Sequence, residues 1–115
     1  MKKPDAVAIL SALAQDNRLD VFRLLVEAGL GGMPAGHVAA SLKLPPSALS
    51  FHLDRLRDVG LVTVRRDGRS MIYAARFEAM DQLVSYLTDH CCQGRPELCK
   101  PAPRAARRRK PVTVP

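Results

Sequence analysis

All three cysteines of this 115-residue chain fall within one short stretch, His90-Cys91-Cys92-Gln93-Gly94-Arg95-Pro96-Glu97-Leu98-Cys99. Thiols this close together can form a disulfide, respond to an oxidant or bind a soft ion, because thiolate is the softest ligand a side chain offers. An odd count of three argues against a simple disulfide framework. No nucleophile–base pair and no glycine loop able to cradle a phosphate is visible elsewhere, so the sequence does not read as an enzyme.

The charge pattern shows what the thiols are attached to. The net charge is +7. Lys100, Arg104, Arg107, Arg108, Arg109 and Lys110, with no acid among residues 100–115, account for +6 of it and leave +1 for residues 1–99. This Pro-, Ala- and Arg-rich tail reads as unstructured, either a solvated segment or a source of salt-dependent, nonspecific DNA affinity. Within the body one stretch stays lopsided: Arg55, Arg57, Arg65, Arg66, Arg69 and Arg76 face only Asp54, Asp58 and Asp67. Clustered arginines of this kind favour phosphate contact.

Hydrophobic periodicity supplies the elements. Ala6, Ile9, Leu10 and Leu13 have the spacing of an amphipathic helix over 5–14, with Pro4 at its start. Asp16-Asn17 can cap a second helix carrying Leu19, Val21, Phe22, Leu25 and Val26, ended by Gly29. Gly31-Gly32-Met33 reads as a loop, and Pro34 opens a short third helix through Leu42. Lys43-Leu44-Pro45-Pro46 breaks the chain. A fourth helix begins near Ser47, with Leu49, Leu53 and Leu56 on one face, and ends at Gly60. The period then changes to that of a strand over 61–66. Asp67-Gly68 signals a hairpin turn, and 70–74 returns as the second strand. A last helix starts at about Glu78, with Met80, Leu83, Val84 and Leu87 on one stripe that Cys91 continues.

Lys2-Lys3 followed by an apolar stretch ending Ala12-Leu13-Ala14 imitates a secretory signal. Asp5 interrupts it and the stretch flows into an amphipathic helix, so it is read as part of the fold. No stretch approaches the ~18–20 apolar residues that span a bilayer. The expected location is the cytoplasm, where thiols stay reduced.

Helix, short break, helix and hairpin make a winged helix-turn-helix: mainly α, with a β-hairpin wing. The third helix braces and the fourth enters the major groove of double-stranded DNA, N-terminal residues first. Ser47, Ser50 and Arg55 then read or position DNA. Phe51, too exposed for its type, can touch a thymine methyl. Arg65, Arg66 and Arg69 anchor the wing on phosphates or in the minor groove. His52, between Leu49 and Leu53, is expected to be a structural histidine near the buried face, and His37 a surface or packing residue. The expected division is a DNA-binding and dimerisation domain over 1–92 and a cysteine-containing segment with its basic tail over 93–115.

Ser47-Ala48-Leu49-Ser50-Phe51-His52-Leu53-Asp54-Arg55-Leu56-Arg57-Asp58-Val59-Gly60-Leu61-Val62 resembles the recognition helix and its exit in the ArsR/SmtB metalloregulators. Leu13-Ala14-Gln15-Asp16-Asn17-Arg18-Leu19-Asp20-Val21-Phe22-Arg23-Leu24-Leu25 resembles that family's first helix junction. The likeness spans about residues 5–90. It implies a homodimeric repressor, paired through its first and last helices, that releases operator DNA when a ligand binds.

The chain departs from the family's usual ligand sets. Gly36-His37-Val38-Ala39-Ala40-Ser41-Leu42 lacks the Cys-x-Cys of the third helix, and Asp81-Gln82-Leu83 lacks the Asp-x-His of the last. What remains resembles the arsenic repressors with a C-terminal Cys-Cys and a third Cys shortly after. That resemblance implies As(III) or Sb(III) bound by Cys91, Cys92 and Cys99, with no organic cofactor. Three sulfur donors suit a pyramidal trivalent ion better than zinc, which takes four ligands. Neighbouring helical residues diverge by about 100°, so Cys91 and Cys92 need a fraying helix end to chelate together, and Gly94 lets Cys99 return. Zinc held by His90 and the three thiols, a redox or persulfide switch, and a soft-ion carrier with no role on DNA are the competing readings. The recognition helix and wing have no use in a carrier.

Overall fold

The computed structural model describes residues 1–89, which form a winged helix-turn-helix. The helices are α1 (Lys3–Leu13), α2 (Asp16–Ala28), α3 (Ala35–Leu42), α4 (Pro46–Asp58) and α5 (Phe77–Leu87), and the strands are β1 (Met33–Pro34), β2 (Val62–Asp67) and β3 (Ser70–Ala75). The cysteines, the domain boundary expected at residue 92 and the basic tail lie outside the described residues.

Local chemistry sets the helix ends. The Asp5 carboxylate accepts the Lys2 N–H at the start of α1. Gln15, rather than Asp16 or Asn17, caps α2: its backbone is extended, and its side chain accepts the Arg18 N–H at 2.8 Å. Asp16 falls instead in the first helical turn, where a negative charge complements the helix dipole. Both helices of the helix-turn-helix end in Schellman geometry. After α3, Leu44 N–H bonds to Ala39 O and Lys43 N–H to Ala40 O, with Lys43 itself left-handed at φ 56°. After α4, Leu61 N–H bonds to Leu56 O and Gly60 N–H to Arg57 O. The tight turn between α3 and α4 therefore uses a left-handed lysine followed by two prolines, where Pro46 starts α4 without needing a backbone donor.

The core is aliphatic. Val21, Phe22 and Leu25 of α2, Val38 of α3, Leu49, Leu53 and Leu56 of α4, and Leu61 and Val62 close around one another. Ala6, Ile9 and Ala12 of α1 and Ala79 and Leu83 of α5 join the same cluster. The stripes expected for dimerisation are thus divided. Ile9 and Leu83 serve the protomer's own core, while Val7, Leu10, Val84 and Leu87 remain exposed.

Two expectations need correction. Met33 does not stay in a loop: Met33 pairs with Tyr73 and Pro34 with Ile72, so the hairpin becomes a three-stranded antiparallel sheet in the order β1-β3-β2. A two-residue strand ending in proline carries no periodicity by which to be recognised. The last helix also ends before its stripe reaches Cys91, which lies outside the described residues. The α5 helix stops at Leu87, where Thr88 donates both its N–H and its hydroxyl to Val84 O, at 3.0 and 2.8 Å.

Candidate nucleic-acid interface

Burial divides α4 into two faces. Leu49, His52, Leu53 and Leu56 point inward; Ser47, Ser50, Phe51, Asp54, Arg55 and Asp58 are exposed. The residues expected to meet DNA from this helix therefore share its outer face, beginning at its N-terminal turn. That turn is the part a recognition helix inserts most deeply. Asp54 lies on the same face and was not singled out from sequence; a carboxylate there can accept from a cytosine amino group.

His52 is buried, at 7% exposure, and its Nδ1 accepts from Arg18 Nε at 3.4 Å. Burial pushes its pKa below the usual 6.5, and the Arg18 charge lowers it further. It therefore serves the structure, as the sequence indicates, and holds Arg18 in place. Arg18 Nη1 also donates to Ala12 O at 3.3 Å, which ties α2 to the end of α1. Phe51 is 52% exposed and lies between two guanidiniums, with Arg18 at 5.7 Å and Arg55 at 5.4 Å from its ring centroid. Arg18 is the residue that sequence reasoning missed. Its spacing carries no periodic signal, and only the packing of α2 against α4 brings it to Phe51.

The wing is the β2–β3 hairpin, turning at Gly68 with φ +64°. Arg66 and Arg69 are exposed near the tip, Arg66 with its Nε on Gly68 O at 3.4 Å. Arg65 differs. Alternation along the strand places it on the opposite face from Arg66, and its Nη1 donates to Gly31 O at 3.1 Å. Arg65, expected on DNA with Arg66 and Arg69, thus also braces the wing against the loop between α2 and β1, and its neutral carbonyl acceptor leaves its charge intact. Arg76, in the same basic stretch, is also structural. It bonds Gly60 O at 3.1 Å and pairs with Glu78 at 3.1 Å, joining the exit of α4 to the start of α5.

Among the described residues, no group of three or more His, Cys, Asp or Glu could hold a metal ion. No helix among them is long and apolar enough to cross a membrane.

Comparison with known proteins places this geometry. Residues 13–65, from the end of α1 through most of β2, match the helix-turn-helix domain family. The HTH-type transcriptional regulator YgaV of Escherichia coli is 33% identical over 87 residues, covering 76% of this chain and 86% of YgaV. Reduced HlyU from Vibrio cholerae superposes with a TM-score of 0.59 at 32% identity, covering 75% of this chain and 90% of HlyU. A homodimeric winged helix-turn-helix domain from Mycobacterium bovis, described as "a possible ArsR-family transcriptional regulator", gives 0.58 at 26% identity, over 76% and 85% of the two chains. A structure described as "Possible transcriptional regulator for arsenical resistance" gives 0.60 at 27% identity, over 79% and 96%. These relatives are regulators of transcription, and no enzyme family is indicated. With the fold, the outward face of α4 and the wing in place, the chain belongs to the ArsR family of winged helix-turn-helix transcriptional regulators.

Proposed function

We propose that the protein is a homodimeric repressor that binds operator DNA through α4 and the wing and releases it when As(III) or Sb(III) binds Cys91, Cys92 and Cys99. The observation that carries the DNA half is the outward face of α4, with Ser47, Ser50, Phe51 and Arg55 exposed together, beside a wing with Arg66 and Arg69 near its tip. The dimer half is supported by Val7, Leu10, Val84 and Leu87, which leave an uncovered aliphatic surface on α1 and α5. The homodimeric Mycobacterium domain has the same fold. The sensing half is supported by the donor set: three soft thiols within a short stretch that follows the end of α5. The likeness to the regulator described for arsenical resistance points the same way.

Ligand binding displaces DNA only by favouring a conformation that binds DNA poorly. Drawing Cys99 toward Cys91 and Cys92 would tie the chain that follows α5 to the end of the dimer surface, where it can alter the spacing of the two α4 helices. A second reading, thiol oxidation or persulfide formation as the trigger, is favoured by the likeness to HlyU, solved in a form designated reduced.

The test is fluorescence anisotropy of a selected high-affinity duplex, titrated with arsenite, zinc and peroxide in turn. Cys91→Ser, Cys92→Ser and Cys99→Ser should each abolish release by arsenite and leave DNA binding intact, because a serine oxygen is a hard donor. Release by arsenite in all three variants refutes the assignment. Release by peroxide and not by arsenite replaces it with the redox reading.

A further inference from the structure

We propose that Arg18, on α2, anchors a DNA backbone phosphate beside the recognition helix, and that Phe51 is the platform that holds it rather than a reader of thymine. This rests on the DNA-binding reading above and extends the contact surface to a third element.

Arg18, Phe51 and Arg55 line an open crevice of about 320 Å³ between α1 and α4, with Ala8, Ser11 and Ala12 completing it. Both guanidiniums sit against one exposed ring, at 5.7 and 5.4 Å from its centroid. The negative face of the ring attracts each cation without neutralising it. The arginine ion pairs among the described residues are Arg23 with Glu27 and Arg76 with Glu78; neither Arg18 nor Arg55 belongs to one. Two like charges brought to one ring repel, and an oxyanion in the crevice removes that repulsion.

Arg18 is also held ready. Its Nε donates to His52 Nδ1 and its Nη1 to Ala12 O. Both acceptors are neutral, so the full positive charge remains, and neither bond uses Nη2. A planar guanidinium fixed in this way matches the geometry of a phosphate. The crevice flanks the face of α4 that exposes Ser47 and Ser50. Beside a helix inserted in the major groove, the groups at the groove edge are backbone phosphates. Such contacts fix register and carry no base information.

The experiment measures the salt dependence of binding for the full chain on two duplexes of about three helical turns, one of mixed sequence and one of G·C pairs only. Each phosphate neutralised contributes about 0.9 to the slope of log K against log salt. Removing the Arg18 charge should therefore shrink the affinity lost over a fourfold rise in salt by a factor of about three to four. Arg18→Gln should show this on both duplexes, and its amide can still donate to His52 or Ala12, which favours folding. Arg18→Lys should keep the wild-type slope, because the charge is retained. Phe51→Leu should weaken both duplexes equally; a loss confined to the duplex containing thymine overturns the platform role. Wild-type slope in folded Arg18→Gln overturns the anchor. Failure of the wild type to bind either duplex would instead refute the DNA-binding reading itself, so the two failures are distinguishable.

Discussion

Gly32→Ala is expected to be the most damaging single-methyl addition in the loop between α2 and β1. Gly32 has φ +75°, and a Cβ built there collides with the carbonyl oxygen of Tyr73 and meets Ala74 Cβ at 3.0 Å. Tyr73 is the β3 residue paired with Met33, so relief of the collision must push β1 away from β3. Gly60 provides the control: it has a similar φ of +80° in the Schellman turn after α4, and an added Cβ would meet only the far end of the Arg76 side chain, at 3.3 Å. Left-handed backbone strain costs an L-residue about 1–2 kcal/mol. Gly60→Ala should lose about that much. Gly32→Ala adds a clash against backbone, which cannot swing aside, and weakening of the two-residue β1 ladder; roughly 3 kcal/mol or more in total follows. For a domain of this size 1 kcal/mol moves Tm by about 4–8 °C. Thermal melts followed by circular dichroism, at one fixed protein concentration because dimerisation would shift Tm, should therefore separate the two variants by roughly 10 °C. Equal melting of Gly60→Ala and Gly32→Ala would refute the argument that close approach to β3, and not φ alone, requires the glycine.

Leu10→Lys and Leu87→Glu place charges on the exposed aliphatic surface of α1 and α5. Each should shift sedimentation at micromolar concentration toward monomer, since burying each leucine is worth about 1.5–3 kcal/mol; an unchanged sedimentation coefficient would count against this interface. Arg66→Ala and Arg69→Ala should each flatten the salt slope of DNA binding by about one unit on all sequences. Arg65→Ala should also lower thermal stability slightly, because it loses the bond to Gly31 O. For His52 the folded pKa lies below the unfolded 6.5, so the unfolded chain binds more protons as pH falls. Stability should be level above about pH 6.5 and decline below it as His52 is forced to charge. His52→Gln should remove that part of the decline, and an unchanged pH profile of Tm would show that another group is responsible.

The sequence alone determined the order and type of the main elements, because each signal was local. Leu49, Leu53 and Leu56 mark the inner face of α4 by spacing, and Asp67-Gly68 marks the wing turn by the left-handed backbone glycine supplies. The double proline marks the break between α3 and α4. The exposure of Phe51 and burial of His52 were legible for the same reason, since helical period assigns each residue to a face. Tertiary structure decided what no local pattern encodes. Met33 becomes a strand only because β3 lies beside it. The apolar stripes of α1 and α5 look single in sequence, yet packing turns Ile9 and Leu83 inward and leaves Leu10 and Leu87 outside. Arg65 and Arg66 are neighbours with identical chemistry, but the alternation of β2 sends one to Gly31 and the other toward the tip. Arg18 and Phe51 are 33 positions apart in the chain, and they meet only where α2 crosses α4. A side chain's type fixes the interactions it can make; the partner that arrives from a distant part of the chain fixes which one it does make.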